Sequence, residues 1–506
     1  MLNELRQDTR IDKKNALKTV GFFVILYLIA CAAVVLKFEV GYLRTFIYDI
    51  SRAHMYGITF LGIWFFMVSF VLYLVFTRQE LISSSRDLYA IGVGFIVAFI
   101  IKLYLAMLSI YALPTMLAVF ILAPVAKKRD AFITNIFCNF ILLGTLLIKY
   151  VYILAPAGMR PEFVRDAIMM FTLGVTTGTV AAYTVWRKAS RFSQIIRAFL
   201  FSTFFYGMIV MFDAVQGARI LGHGLAYGAL HGLVAGFAPL LIGMLLQPVL
   251  ESVFNLLTDT RLVGFTDINA PLIKRLSVEA PGTFSHSLVV ASFAEMCASS
   301  IGVNPYLARA CAYYHDIGKL ENPEYFKENQ DEVNHHDNLL PEVSAEIVRA
   351  HTYGGLELCE KHRIPKEIAH VTVQHHGTML ISVFYEKAKS LTDGEVAKEG
   401  YRYQGITPRS KVAAIIMLCD AAEAALRVME QPNAKKVDKL LSDLISDRIA
   451  SRQFDRCDIS LAELNLIKKT ITQAYGGIYH ARIKYPTGES VSRVSNREVK
   501  REEGEK

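Results

Sequence analysis

The first 250 residues hold eight apolar runs, at roughly 19–37, 57–77, 88–106, 109–126, 131–154, 164–186, 195–216 and 225–249. Nothing else in the chain restricts its fold so strongly. About 20 mostly apolar residues are what a helix needs to cross a bilayer, and only internally bonded backbone tolerates hydrocarbon. The fourth run is short and carries Pro114, so it can fuse with the third into one broken element. Seven to eight spanning helices are therefore expected over residues 19–250, after a short segment 1–18. A composition of 53% hydrophobic and 20% charged residues, with mean hydropathy +0.34, excludes a disordered chain and argues against a wholly water-soluble one. At 506 residues the chain also exceeds one ordinary core.

Charge tests the count of spans. Residues 1–250 carry 22 Lys/Arg against 11 Asp/Glu, whereas the remainder carries 32 against 35. The positive excess thus lies between apolar runs, which points to membrane loops and away from a nucleic-acid polymer as partner. With the N-terminus inside, 14 of those 22 basic residues fall in inner segments, among them Arg6, Lys13, Arg78, Lys127, Arg129 and Arg187. An even number of spans then leaves everything after residue 250 in the cytoplasm. Leu28-Ile29-Ala30-Cys31 resembles a lipoprotein cleavage box, but the apolar run continues through Leu36, as a spanning helix would. Cleavage there would leave seven spans. Lys102, Asp213 and His231 lie inside apolar runs and read as interfacial side chains or as partners of a neighbouring helix. Seven scattered cysteines with no CxxC pair exclude a disulfide scaffold and a zinc ribbon.

From about residue 251 the pattern changes. Segments 286–301, 304–316, 341–352, 365–376, 379–390, 408–429 and 458–475 repeat apolar residues at helical spacing. Alternating β-branched runs are scarce, so the expected fold class is all-α throughout: a polytopic transmembrane bundle, then an all-helical domain over 251–480. Gly302 suits a break, and Asn304-Pro305 a helix start. Thr392–Thr407, with three glycines, reads as a surface loop, and 481–506 as a polar, disordered tail.

Histidine crowds this half. His286, His315-Asp316, His351, His375-His376 and Asp420 each sit at or near the end of an apolar helix, where side chains can share a bundle interior. Any one of them alone reads better as a helix cap or a surface residue. Together, the doublets, the apolar flanks and the Gly318-Lys319 that follows do not. Neighbouring helical residues point about 100° apart, so a doublet serves two ions better than one, and an Asp carboxylate can bridge them. Five His and two Asp suffice for a centre of two divalent ions. Imidazole and carboxylate without thiolate suit iron or manganese.

These residues resemble a known family. His286…His315-Asp316-Ile317-Gly318-Lys319…His351…His375-His376…Asp420 matches the HD-domain phosphohydrolases, in the form with a second metal site. Asn322–Phe326, Asn334–Asp337, Ser344–Ile347, Tyr401–Tyr403 and Ala413–Asp420 are similar to the membrane-bound, multi-span-receptor members, over roughly 251–480. The resemblance implies a bacterial inner-membrane enzyme with its HD domain in the cytoplasm, cutting a cyclic dinucleotide messenger, cyclic di-AMP, to linear pApA. Copies of the chain, as a homo-oligomer, stay open as partners beside the lipid bilayer and the dinucleotide. It also implies Asp316 as a catalytic ligand, Lys319 reaching the phosphate from one turn beyond it, and His336 binding phosphate or protonating the leaving oxygen.

The sequence departs from that family twice. Only residues 38–56 separate the first two apolar runs, where relatives carry a large extracellular domain, and His335 stands where a proline usually precedes the equivalent of His336. His375-His376 continues as Gly377-Thr378, not as the Glu and Gly-Tyr-Pro of cyclic di-GMP enzymes. That lowers cyclic di-GMP as the substrate. A guanosine polyphosphate hydrolase, a non-catalytic nucleotide receptor and a transporter with a regulatory domain complete the set of rival functions.

Overall fold

The computed structural model describes residues 13–39, 50–77, 85–106, 113–122, 126, 128–151, 162–185, 200, 204, 207, 225–330, 333–392, 394–430 and 433–479. The chain divides into two units, Met1–Thr258 and Asp259–Lys506. Among the described residues it is helical throughout, apart from a lone antiparallel bridge between Leu380 and Arg402.

In the first unit lie α1 (Lys13–Glu39), α2 (Ile50–Thr77), α3 (Ser85–Leu105), α4 (Leu117–Leu122), α5 (Lys128–Lys149), α6 (Glu162–Val185) and α7 (Leu225–Val253). Five stretches, Lys18–Lys37, Ala53–Thr77, Arg86–Leu105, Arg129–Lys149 and Val234–Val253, are long and apolar enough to cross a membrane. They coincide with five of the expected runs. The apolar stretch of α6, Ala167–Ala182, is shorter, and the run at 195–216, with Asp213, lies outside the described residues, as does the side chain of His231. Large apolar side chains such as Phe65, Phe76 and Leu245 face outward, the inverse of a bundle built for water. Inside, the Phe70 ring stacks on Phe95 at 5.4 Å.

The fourth run is broken at Pro114: of its described residues only Leu117–Leu122 are helical, and the break has a polar consequence. Lys102 is fully buried; it does not snorkel to an interface but donates to Thr115 O, Asn135 Oδ1 and Asn139 Oδ1 at 2.9, 3.0 and 2.8 Å. Its ammonium thus bonds a carbonyl beside the broken segment and two amides of α5. A buried polar group is tolerated when its donors are satisfied in this way.

The second unit contains α8 (Asp259–Phe265), α9 (Pro271–Glu279), α10 (Pro281–Ser300), α11 (Pro305–Tyr314), α12 (Pro341–Lys361), α13 (Lys366–Ala369), α14 (Ser382–Leu391), α15 (Lys411–Arg427), α16 (Ala434–Ala450) and α17 (Leu461–Tyr479). The start of α11 is as expected: the Asn304 side chain accepts from the N–H groups of Tyr306 and Leu307, and Gly302 breaks the chain at φ +73°. α15 is buried on nearly every side from Val412 to Asp420, which makes it the centre of the unit.

Three expectations are corrected. The helix expected over 365–376 ends at Ala369, because the Val373 carbonyl accepts from Ile406 N–H instead of a later helical residue. His375-His376 therefore sit in a run of tight turns closed by Gly377 at φ +51°. The segment Thr392–Thr407 is more than a surface loop: Tyr401 is buried, and main-chain bonds tie its end to residues 373–381. α8, α9 and α16 were not among the expected helices. In α16, Val437, Leu440, Leu441, Leu444 and Ile445 keep helical spacing, so this helix was legible in the sequence, and it buries Val437 and Leu441.

Candidate metal centre

Four elements and one turn deliver the seven histidine and aspartate side chains. His286 lies in the second turn of α10, His315-Asp316 directly after α11, His351 midway along α12, and Asp420 midway along α15. The turn after α13 contributes His375-His376. The chain folds so tightly here because Gly318 lets the segment after Asp316 lie on α12: a Cβ at that position would stand 1.9 Å from His351 O and 2.4 Å from Gly355 N.

All seven meet. His286, His315, Asp316 and Asp420 form one group and Asp316, His351, His375 and His376 another, each with its ligand atoms within 4.8 Å of one another. Asp316 belongs to both. Its Oδ2 faces His286 Nε2 at 3.7 Å and His315 Nε2 at 3.3 Å. Its Oδ1 faces His351 Nε2 and His375 Nε2, each at 3.4 Å. Asp420 spans the same divide, with Oδ1 3.1 Å from His286 Nε2 and Oδ2 3.6 Å from His376 Nδ1.

The imidazoles are oriented from behind. His315 Nδ1 bonds Ala312 O at 2.7 Å, His351 Nδ1 bonds Val348 O at 2.5 Å, and His375 Nδ1 bonds Val371 O at 3.1 Å. A carbonyl only accepts, so each Nδ1 carries the proton and each Nε2 can present a lone pair inward. His286 Nδ1 is held at 2.5 Å by Glu423 Oε2, which Arg427 Nη2 in turn holds at 2.6 Å.

Charge follows the geometry. Burial pushes His351 down to about 3 and His376 well below its usual range. Burial opposes charge on His315 too, but the Asp316 carboxylate outweighs it and lifts the ring to about 10. His286 is raised against burial by its bonds to Asp420 and Glu423. Burial would raise Asp316, but Lys319 and His315 hold it well below the carboxylate range; Asp420 is held down likewise by His286 and His315.

These residues fit metal ions. Buried polar atoms normally find partners, yet His315 Nε2 and Asp316 Oδ1 have none among the described residues. His351 Nε2 and His375 Nε2 converge to 3.4 Å, with Asp316 Oδ1 facing them. A set of lone pairs aimed at one another is what a cation resolves.

Lys319 and His336 stand differently. Burial opposes the Lys319 charge, but its Nζ lies 2.7 Å from both Asp316 Oδ2 and Glu328 Oε1, and the two carboxylates raise its pKa. His336 is in neither ligand group. Its Nε2 donates to Tyr325 O at 2.9 Å, its ring lies 4.9 Å from that of Phe384, and burial lowers its pKa. Sequence reasoning missed Glu423 and Glu328, and it named Tyr403 for its family likeness without a role; the Tyr403 ring stacks on His376 at 4.2 Å. Glu423 had a signal: three residues after Asp420, it shares that face of α15.

The HD-domain family matches residues 283–425, the range that holds all seven side chains. The cyclic-di-AMP phosphodiesterase PgpH of Listeria monocytogenes is 34% identical over 415 residues, 81% of this chain and 55% of that protein. The cyclic-di-AMP phosphodiesterase PgpH of Bacillus subtilis is 38% identical over 333 residues, 63% of this chain and 47% of its own length. The chain thus spans about half the length of the curated relatives it matches. The crystal structure of the L. monocytogenes PgpH HD domain in complex with cyclic-di-AMP aligns with 43% of this chain and 100% of that one, at 43% identity and a TM-score of 0.41.

Proposed function

We propose that this chain, a relative of the HD-domain phosphodiesterases, is itself a metal-dependent phosphodiesterase that hydrolyses a cyclic dinucleotide, cyclic di-AMP, to linear pApA. The observation that carries this reading is Asp316, one carboxylate with two pairs of imidazoles on its two oxygens. It implies two divalent ions, one per ligand group, and mixed imidazole and carboxylate donors favour iron or manganese. The names of the two curated relatives support the choice of substrate.

When bound, such ions acidify water and offset phosphate charge. The chain's own residues do the rest. The Nδ1 bonds to carbonyls keep the rings of His315, His351 and His375 aimed inward. Lys319 uses two of its three N–H donors on Asp316 and Glu328, and the third is left for a phosphate oxygen. His336 offers less than a proton to a leaving group: its Nε2–H is committed to Tyr325 and its ring is neutral, so Nδ1 is an acceptor.

For the whole chain we assign an inner N-terminal segment 1–18, a membrane domain 19–250 of seven to eight spans in the bacterial inner membrane, a cytoplasmic HD domain 251–480 and a polar tail 481–506. The positive charge between the apolar runs supports that orientation. The test is turnover of cyclic di-AMP, cyclic di-GMP and a guanosine polyphosphate by the full-length protein in detergent, supplied with manganese or iron. Cyclic di-AMP should be cleaved to pApA in preference, and Asp316→Ala should abolish it. Hydrolysis that survives this substitution would remove the mechanism.

A further inference from the structure

The stretch from Tyr401 to Ile406 is fixed beside the double-histidine turn. Ile381 N–H donates to Tyr401 O at 2.8 Å, Tyr403 N–H to Met379 O at 2.9 Å, and Ile406 N–H to Val373 O at 2.9 Å. Gly405 makes the approach feasible, since a Cβ there would lie 2.3 Å from Val373 O and 2.8 Å from Gly377 O. Held between these bonds, the Tyr403 ring stacks on His376 at 4.2 Å and 26°, and stands edge-on to His351 at 6.1 Å and 81°.

Its hydroxyl is the odd one of the neighbouring phenols. Tyr401 Oη donates to Glu342 Oε1, and Tyr353 Oη to Gln404 O at 3.1 Å. Tyr403 Oη has no hydrogen-bond partner among the described residues, although it lies in the field of Lys319, Asp420, Asp316 and Glu328. Metal ions do not answer it, because they take lone pairs and accept no hydrogen bond. The oxygens of Asp316 and Asp420 already face imidazole nitrogens. With no protein acceptor, the phenol is available to a ligand, and a phosphodiester brings two non-bridging oxygens.

We propose that Tyr403 donates a hydrogen bond from Oη to a non-bridging oxygen of the phosphodiester held at this centre. The proposal rests on the phosphodiesterase reading above. No proton is transferred: the phenol stays neutral, and its bond strengthens as charge grows on the phosphoryl oxygens. Stacking on His376 and the three main-chain bonds set its direction before substrate arrives.

The experiment compares wild type, Tyr403→Phe, Tyr403→Ala and Asp316→Ala as full-length proteins in detergent with manganese. Bound metal, thermal midpoint, and kcat and KM for cyclic di-AMP are measured for each. Tyr403→Phe keeps the stacked ring, so it should retain the metal content and midpoint of wild type while kcat falls on the order of 100-fold. Tyr403→Ala should lower metal content as well, because His376 loses its support. Wild-type kcat in Tyr403→Phe, with Asp316→Ala inactive, overturns this role and leaves the enzyme reading standing. Activity lost only in proportion to metal overturns it also, since the hydroxyl would then be serving the ligands. No turnover by wild type overturns the enzyme reading and this role with it.

Discussion

His315, His351 and His375 reach the centre with the remote nitrogen already bonded to a carbonyl of their own segment. His286 and His376 differ: the remote nitrogen of His286 is held by Glu423 across to α15, and the His376 ring is stacked on Tyr403. Glu423→Ala should therefore weaken metal binding by about 10–100-fold, with Glu423→Gln falling between it and wild type, measured by competition with a chelator. Unchanged affinity would show that the carbonyl-held rings suffice. The pH dependence of the metal-free protein follows from the same side chains. His286 and His315 have raised folded pKa values, so their stabilisation is full below about 6.5 and is lost as pH rises towards about 10 for His315. His351 and His376 are depressed, so the unfolded chain takes up protons first and stability falls as pH drops from about 6.5, towards about 3 for His351. The thermal midpoint without metal should peak near pH ~6.5, each proton contributing up to about 1.4 kcal/mol per pH unit on either side. Manganese competes for the protonated nitrogens, so loading should flatten the alkaline limb. A metal-free midpoint that is flat from pH 5 to 9 would contradict the charge assignment.

Single elements show why this centre needs a glycine two residues after its first doublet. The turn 317–321 lies so close to α12 that any Cβ at Gly318 would meet main chain, which cannot swing aside. Gly318→Ala should cost at least about 3 kcal/mol and reduce bound metal, because relief of the clash must move Asp316 or His351. An alanine variant with wild-type midpoint and metal content would mean that the turn is looser than it stands. The seven side chains that come together were legible in the sequence, since adjacent His-Asp and His-His pairs after apolar runs stand out. Their holders were not. A glutamate at position 423 on a helix looks like any solvated acid until Asp420 is known to point inward. The turn at 370–377 was read as helix because Ile368, Ala369, Val371 and Val373 keep apolar spacing; only the distant Ile406, taking the Val373 carbonyl, decides otherwise. Lys102 could be flagged as an ionisable group in an apolar run, but its partners Asn135 and Asn139 lie on a different helix.

On the scale of the whole chain, orientation is the testable consequence of where charge lies. On the proposed topology, fourteen of the 22 basic residues before residue 251 would share a side with the N-terminus, and an even number of spans would return the chain to that side. Thiols provide the probe. Cys31, Cys138, Cys297, Cys311, Cys359 and Cys419 are buried, whereas Cys457 is partly exposed. A native protein should therefore react with a maleimide at one position, Cys457, and at the others only after denaturation. Partial burial raises the Cys457 thiol, which slows the reaction at neutral pH without blocking it, so labelling belongs at mildly alkaline pH. Cys457 lies in the second unit, together with the seven clustered ligands. Its side of the membrane is thus the side on which a dinucleotide must be present. In intact cells a membrane-impermeant maleimide should leave Cys457 unlabelled, and lysis should expose it. Labelling before lysis would put the centre outside the cell, away from any cytoplasmic messenger, and would overturn the substrate assignment even if the metal site stood.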